Sequence, residues 1–284
     1  MKHVLYNPLA GNKTGEKTVK ILDEIFGAEN LIYYNVIDVN NLSDFLKSLP
    51  LTDEIIVAGG DGTVNKFINN LGGIVPEHKI FYLPTGSGND FFTDVKKDSD
   101  DKNTLIPLND YLKNLPVCEV NGNEYFFING IGYGIDGYCC EVGDKLRESG
   151  KTKIDYAGIA IKGLLFRFKR RKATVTVDGE THSFKNVWLA PTMYGRYYGG
   201  GMMIAPYQLR EKSGKVTLIV HHCGSKLVTL VNFPKIFKGT HLKNKKLFDV
   251  YEGKNVTVEF DRPTAIQIDG ETILDVKKYT VYIK

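Results

Sequence analysis

Cysteine is scarce in this chain, and the little there is forms no pattern. Cys118, Cys139, Cys140 and Cys223 make no Cys-x-x-Cys pair and no Cys/His zinc spacing, which leaves out a disulfide framework and a zinc module. They read as reduced core or strand thiols, suited to a cytosolic compartment. No window approaches the ~20 apolar residues of a membrane span, and the opening MKHVLYNPLAG lacks the apolar core of a signal peptide. The expected location is the cytoplasm, with any membrane contact peripheral and on the inner face. A strong excess of one charge is missing too. Lys and Arg number 37 against 33 Asp and Glu, a net charge of +4. That is too weak for a dedicated nucleic-acid binder, which carries a basic stripe, so no nucleic-acid partner is expected. It suits an anionic substrate or an anionic membrane surface. The Walker A pattern and G-x-G-x-x-G are both absent, so neither a P-loop NTPase nor a standard dinucleotide site is supported. The six histidines show no metal-ligand spacing and are expected mostly at the surface.

What is present is an ordinary globular composition. Hydrophobic residues make up 42% and charged residues 25% of 284, enough for one large or two ordinary domains and no disorder. Over the first ~110 residues strand and helix signals alternate. Residues 4–6 read as a strand and 7–15 as a loop; Val19, Leu22 and Phe26 then mark a helix face at i, i+3 and i+7. A strand at 31–36 and a helix at 42–49 follow. Ile55, Ile56, Val57 and Ala58 form a continuous apolar run, the mark of a strand buried on both faces. Val64, Phe67, Ile68 and Leu71 predict a helix, and 80–83 another buried strand. This alternation predicts a parallel sheet with helices on both faces.

Beyond ~115 the pattern becomes mainly β. Strands are predicted at 126–129, 174–177, 187–190, 216–220, 256–260, 265–268 and 279–283, with a hairpin signal at Asp178-Gly179. One helical stretch, at about 152–168, interrupts them. The fold class is therefore α/β plus β. A parallel α/β nucleotide-binding domain is expected over 1–115 and an antiparallel β-sandwich acceptor domain over 116–284. The final strand is free to return to the first domain, and a ligand cleft is expected between the two.

Three turns share one design, a buried strand leading into glycines and then a helix. They are Asn7-Pro8-Leu9-Ala10-Gly11, Gly59-Gly60-Asp61-Gly62-Thr63, and Pro84-Thr85-Gly86-Ser87-Gly88-Asn89-Asp90. In an open parallel sheet such turns gather at the carboxyl ends of the strands. Glycines admit a phosphate close to the backbone, and N–H groups at a helix N-terminus attract anions. Thr63, Thr85 and Ser87 add hydroxyl donors. Asp61 puts an anion where phosphates are expected, which makes sense with Mg²⁺ between them. Each turn alone could be a tight connection, with Asp61, Ser87, Asn89 or Asp90 no more than a helix cap; three on successive strands favour a nucleotide site.

These turns closely resemble the diacylglycerol kinase catalytic-domain family, which includes bacterial lipid kinases and sphingosine kinases. The resemblance continues through Gly130-Ile-Gly-Tyr-Gly-Ile-Asp136, Tyr198-Gly-Gly-Gly201 with Ala205-Pro206, and Gln267-Ile-Asp-Gly-Glu271, and it spans almost the whole chain. The GGDGT turn alone is shared with NAD kinases; the Asn89-Asp90-Phe91 ending and the late Asp-Gly-Glu discriminate better. The resemblance implies a lipid kinase that uses ATP and Mg²⁺, with a lipid substrate at the membrane surface, and it leaves a homodimer open. It puts Asn7, Pro8, Leu9, Ala10 and Gly11 on nucleotide-binding positions. It does the same for Gly59, Gly60, Asp61, Gly62, Thr63, Val64 and Asn65, and for Thr85, Gly86, Ser87, Asn89 and Asp90. Asp61 also falls beside the catalytic Mg²⁺, and Asp269 and Glu271 on the acidic pair in which a general base lies, both expected to face Asp61 across the cleft. Asp-Gly-Glu occurs twice, at 178–180 and 269–271, and both triplets read as type I′ hairpin turns. The residues alone do not choose between them; the resemblance chooses the second.

The chain also departs from the family. An Asp-Asp-Gly turn that holds a structural Mg²⁺ in some members is replaced by Arg210-Glu211-Lys212-Ser213-Gly214 before Lys215. A hard cation is poorly supplied with carboxylate there, so no structural metal is expected near Ser213 to Lys215. Lys66, Thr93 and Thr192 are further departures. Two other readings stand beside the lipid kinase: an NAD-kinase-like phosphotransferase and a nucleotide-binding regulator without catalysis.

Overall fold

A computed structural model of the chain describes residues 1–8, 15–39, 41–86, 88–151, 154–210 and 214–283, the side chains of residues 15–17 excepted. The chain divides into two compact units, Met1–Leu115 and Pro116–Lys284.

The first unit is built on a sheet of order β2-β1-β3-β4-β5. The strands are β1 (Lys2–Tyr6), β2 (Leu31–Asn35), β3 (Glu54–Gly59), β4 (Lys79–Pro84) and a short β5 (Ile106–Pro107). All pairs are parallel except β4 with β5. The apolar runs of β1 and β3 are wholly buried because successive side chains enter opposite faces and both faces are covered. Val4, Ile56, Ala58 and Leu83 pack with Leu22 of α1 (Gly15–Phe26) in one cluster. The helices α2 (Leu42–Lys47), α3 (Asp61–Leu71) and α4 (Asp90–Val95) complete the unit. The Val64, Phe67, Ile68 and Leu71 stripe of α3 is buried as its spacing predicts, and Gly72 ends the helix in the left-handed conformation.

In the second unit the sandwich strands form one hydrogen-bonded set, ordered β13-β12-β11-β8-β14-β15-β6-β7, with the β9–β10 hairpin joined to β14. Its strands are β6 (Pro116–Val120), β7 (Asn123–Phe126), β8 (Gly130–Tyr133), β9 (Arg171–Val177), β10 (Glu180–Val187), β11 (Thr192–Met193), β12 (Val216–His221), β13 (Phe248–Gly253), β14 (Asn255–Ile268) and β15 (Glu271–Ile283). The strands expected at 256–260 and 265–268 are one strand, β14. It pairs with β9 through its first half and with β8 through its second, and its register with β15 shifts between Glu259 and Thr264. A bulge of this kind bends a strand and lets it serve two neighbours. Tyr133 accordingly stacks on Phe260 at 3.9 Å while its backbone pairs with Ile266. The last strand, β15, pairs with β14 and β6 and does not return to the first sheet.

Several expectations for this unit are corrected. Of the strand predicted at 126–129 only Phe126 is in one, the end of β7, and 127–129 link β7 to β8; of the 187–190 segment only Val187 is in a strand. The helix expected at 152–168 is α6 (Tyr156–Lys162) running into a π-helical turn, Gly163–Arg167. Two further helices, α5 (Ile135–Glu148) and α7 (Lys226–Phe237), were not predicted. Gly137 and Gly143 dilute the helical signal of α5. Gly137 is there for contact, since a Cβ on it would lie 1.8 Å from the Ala265 carbonyl oxygen of β14. Four histidines expected at the surface, His3, His78, His221 and His241, are buried. Burial pushes His221 down to about 3 and His241 to about 4, so both are neutral imidazoles inside the fold at pH 7.

Candidate active site

Parallel pairing puts the turns after β1, β3 and β4 at one edge of the first sheet, with Tyr6 opposite Ala58 and Gly59 opposite Pro84. Asn7 and Pro8 begin the first turn; Leu9, Ala10 and Gly11 lie outside the described residues, as does Ser87 of the third. The second and third turns are locked together. The Thr85 N–H donates to the Gly59 carbonyl at 2.9 Å. Both Asp61 carboxylate oxygens accept backbone N–H groups from the start of α4, of Asp90 and of Phe91, each at 2.9 Å. Asp61 is thus an acidic cap on a neighbouring helix, a favourable place for a negative charge.

Glycine is required at the seam between these turns. A Cβ on Gly86 would lie 2.4 Å from the Gly60 Cα, and one on Gly59 would lie 2.3 Å from the Thr63 hydroxyl oxygen. Two backbones touch here with no side chain between them. Asn89 enters α4 with φ 52° and donates from its side-chain amide to the Gly86 carbonyl at 2.8 Å. Gly60, Asp61, Gly62, Thr85 and Gly86 keep partial exposure, whereas Thr63, Val64, Asn65 and Asp90 are buried. Thr63 is therefore a packing residue against Gly59, and the partly exposed backbone of the seam is what an anion would meet. Burial, and then the carboxylates of Asp61 and Asp90, push the Tyr82 phenol well above its ordinary range. Among the described residues no three His, Cys, Asp or Glu side chains converge as a metal cage. A Mg²⁺ held mainly by nucleotide phosphates needs only one or two carboxylates. Glu211, Lys212 and Ser213, the replaced metal turn, lie outside the described residues.

Asp269 and Glu271 belong to the second unit, at the tip of the β14–β15 hairpin. Both Asp-Gly-Glu triplets are type I′ turns: φ is 46° and 93° at Asp178 and Gly179, and 47° and 94° at Asp269 and Gly270. Their carboxylates differ. Asp269 is buried and accepts N–H groups of Ile128 at 2.7 Å, Asn129 at 2.8 Å and Gly130 at 2.9 Å. Asp178 accepts from Lys254 and Asn255 at an exposed edge. Glu271 is exposed. The 128–130 link held by Asp269 is gripped from its carbonyl side by the buried Arg210. That guanidinium donates to the Ile128 carbonyl and, at 2.8 Å, to the Asn129 side chain. In the sequence Arg210 stands out only as part of the altered metal turn, because a lone arginine among polar residues carries no local signal of burial.

A second pair was missed as a pair. Tyr198 donates to Asp136 at 2.7 Å, joining two segments that resemblance alone had linked. Asp136 keeps some solvent contact, but its neighbours include uncharged Tyr198, Cys139 and Cys140. Desolvation pushes its carboxyl up to about 7, against the opposing Tyr198 hydrogen bond. An acid whose pKa is raised on folding binds more protons folded than unfolded. Its contribution is therefore most favourable below the unfolded pKa of ~3.9 and is lost as pH rises towards 7. Asp136→Asn is expected to stabilise the protein by roughly 1–2 kcal/mol at pH 8 and by little at pH 4. Denaturant unfolding of both proteins at the two pH values checks this; an equal effect at both would remove the desolvated charge as its cause.

Residues 2–120 match the family described as the diacylglycerol kinase catalytic domain, and residues 129–280 match the YegS C-terminal NAD kinase beta sandwich-like domain. YtlR of Bacillus subtilis (strain 168), provisionally named a lipid kinase, is 26% identical over 234 residues, 76% of this chain and 73% of its own. A diacylglycerol kinase of Mycobacterium tuberculosis (strain ATCC 25618 / H37Rv) is 25% identical over 226 residues, 78% of this chain and 71% of its own. Among solved structures, a Bacillus anthracis str. Sterne chain provisionally named a diacylglycerol kinase superposes with TM-score 0.69 at 19% identity, covering 100% of this chain and 93% of that one; at that identity the likeness concerns the fold. With both units matched, the second match alone spanning more than half of the residues, this chain belongs to the diacylglycerol kinase catalytic-domain family of kinases.

Proposed function

We propose that the chain transfers the γ-phosphoryl group of ATP, taken as its Mg²⁺ complex, to a hydroxyl of a diacylglycerol-like lipid. The seam between the second and third turns carries the reading. Gly60 and Gly86 leave a strip of bare backbone beside the N-terminus of α3, at the carboxyl edge of a parallel sheet. Such a strip suits a polyphosphate. The acceptor class rests on the relatives, named as diacylglycerol and lipid kinases.

In this reading the lipid hydroxyl oxygen bonds to the γ-phosphorus as the bond to the leaving ADP oxygen breaks, and the hydroxyl proton passes to a carboxylate. We assign that carboxylate to Glu271, which is exposed. Asp269, occupied by three amides, holds the tip on which Glu271 sits. Mg²⁺, when bound, supplies neutralisation of phosphate charge, and Asp61 is the residue we assign to hold it.

The test is product formation from labelled ATP and Mg²⁺ with diacylglycerol, sphingosine or NAD as acceptor. Label is expected in the phosphorylated diacylglycerol. Label in NAD alone would replace the proposal with a dinucleotide kinase, and ATP binding without transfer to any of the three would reject the kinase.

A further inference from the structure

A cavity of about 450 Å³ opens in the second unit between α5, the segment leading into β9, and the β14–β15 hairpin. Arg167, Lys169, Arg171 and Arg262 line it, against the carboxylates Glu141 and Asp275. Glu141 is already engaged by Lys145, so positive charge prevails. Two guanidiniums are held close enough to oppose each other: burial, and then Arg262, depress Arg171. The Arg171 Nε is buried without a hydrogen-bond partner among the described residues. Cations gathered in a concave site, one with an unused donor, suit an anion.

The surface beside this cavity is apolar where it should not be. Phe166, next in the chain to the cavity's Arg167, is 78% exposed. The neighbouring α7 carries apolar side chains on its exposed face as well as its buried one. Its buried positions include Thr229 and Asn232, while Leu227 and Val231, one turn apart on a single face, are 69% and 68% exposed. The two segments touch: Lys226 donates to the Leu165 carbonyl, and Leu230 and Phe233 pack in the same cluster as Leu164. Both are free of acids, since no Asp or Glu occurs from 156 to 172 or from 221 to 248. No helix among the described residues is long and apolar enough to cross a membrane. Exposed apolar side chains on segments that carry cations and no carboxylate are complementary to an anionic bilayer.

We propose that the cavity is a headgroup site for an anionic phospholipid, and that Phe166, Leu227 and Val231 enter the bilayer beside it. The site is distinct from the acceptor lipid. Ala265 and Leu274 of its lining stand on the hairpin whose tip carries Glu271, three residues or ~10 Å along the strand. An anionic lipid bound there holds the proposed proton acceptor at the membrane surface. The purpose given to this docking rests on the lipid-kinase reading; the docking itself does not need catalysis.

Vesicles free of diacylglycerol and nucleotide therefore provide the test. Co-sedimentation is expected with phosphatidylcholine vesicles that carry phosphatidylglycerol, and not with phosphatidylcholine alone. It should weaken as salt rises past ~0.15 M, where the Debye length is ~8 Å. Lys169→Gln with Arg262→Gln should weaken binding about tenfold or more, and Phe166→Ser with Val231→Ser should do the same. Melting temperatures show that the variants are folded. Equal binding to neutral vesicles, or full binding by both variants, would overturn the proposal. So would stabilisation of the parent, but not of the Arg262→Gln variant, by inorganic phosphate without vesicle binding, since the cavity would then serve a soluble anion. Conversion of a dimer to a monomer by Phe166→Ser, with vesicle binding intact, would make the patch an interface between copies.

Discussion

Glu271→Gln is expected to lower turnover by about 10²–10⁴-fold, the usual cost of losing a general base, without changing the melting temperature. The side chain is exposed, so the nearly isosteric amide disturbs no packing. Asp269→Asn is expected to fail differently. An amide offers one oxygen and two N–H donors; its oxygen can keep the Asn129 and Gly130 N–H groups, but its NH2 would then face the Ile128 N–H that the second carboxylate oxygen now satisfies. Leaving such groups unsatisfied costs roughly 1–3 kcal/mol, so this variant should lose both activity and thermal stability. Asp178→Asn, in the other triplet, should leave turnover intact. Steady-state transfer to diacylglycerol, measured with melting curves for all three, separates proton acceptor from anchor. Full activity in the Glu271→Gln variant would move the proton acceptor elsewhere.

Gly86→Ala is expected to weaken ATP binding by roughly tenfold to a hundredfold. The added methyl meets backbone on one side, the Gly60 Cα at 2.4 Å and the Gly60 nitrogen at 2.9 Å, so no side chain can swing aside. The two turns must part, and the bare strip proposed to take the phosphates is lost. Gly60→Ala, whose Cβ would stand 3.1 Å from the Gly86 Cα, should be milder, and Gly60→Val severe. Equilibrium titration with ATP and Mg²⁺ checks the order. Unchanged affinity in a folded Gly86→Ala protein would exclude the seam as the phosphate site.

The first unit was legible because its information is local. A strand buried on both faces must be apolar at every position, and Ile55 to Ala58 record that in four consecutive letters. The amphipathic stripe of α3 and the glycines of its entry turn are equally local. The helices of the second unit were not legible for an equally physical reason. Gly137 weakens α5 by itself and is tolerated because β14 passes against it. In α7 polar Thr229 and Asn232 are buried beside Ile236 while Leu227 and Val231 are exposed, so the apolar residues do not keep to one face and give no clear helical signature of a core.

The two Asp-Gly-Glu triplets mark the boundary between what sequence and tertiary structure decide. Sequence determined the turn: Asp and Gly tolerate positive φ, and both triplets close hairpins with nearly identical angles. It could not determine what each carboxylate meets. Asp178 finds amides at 254 and 255 on an exposed edge, while Asp269 finds those of 128–130, up to 141 residues away in the chain, in the interior. Backbone angles follow from the steric needs of adjacent residues. A carboxylate's partners follow from which distant amides the packed strands carry to it, and only the folded chain holds that information.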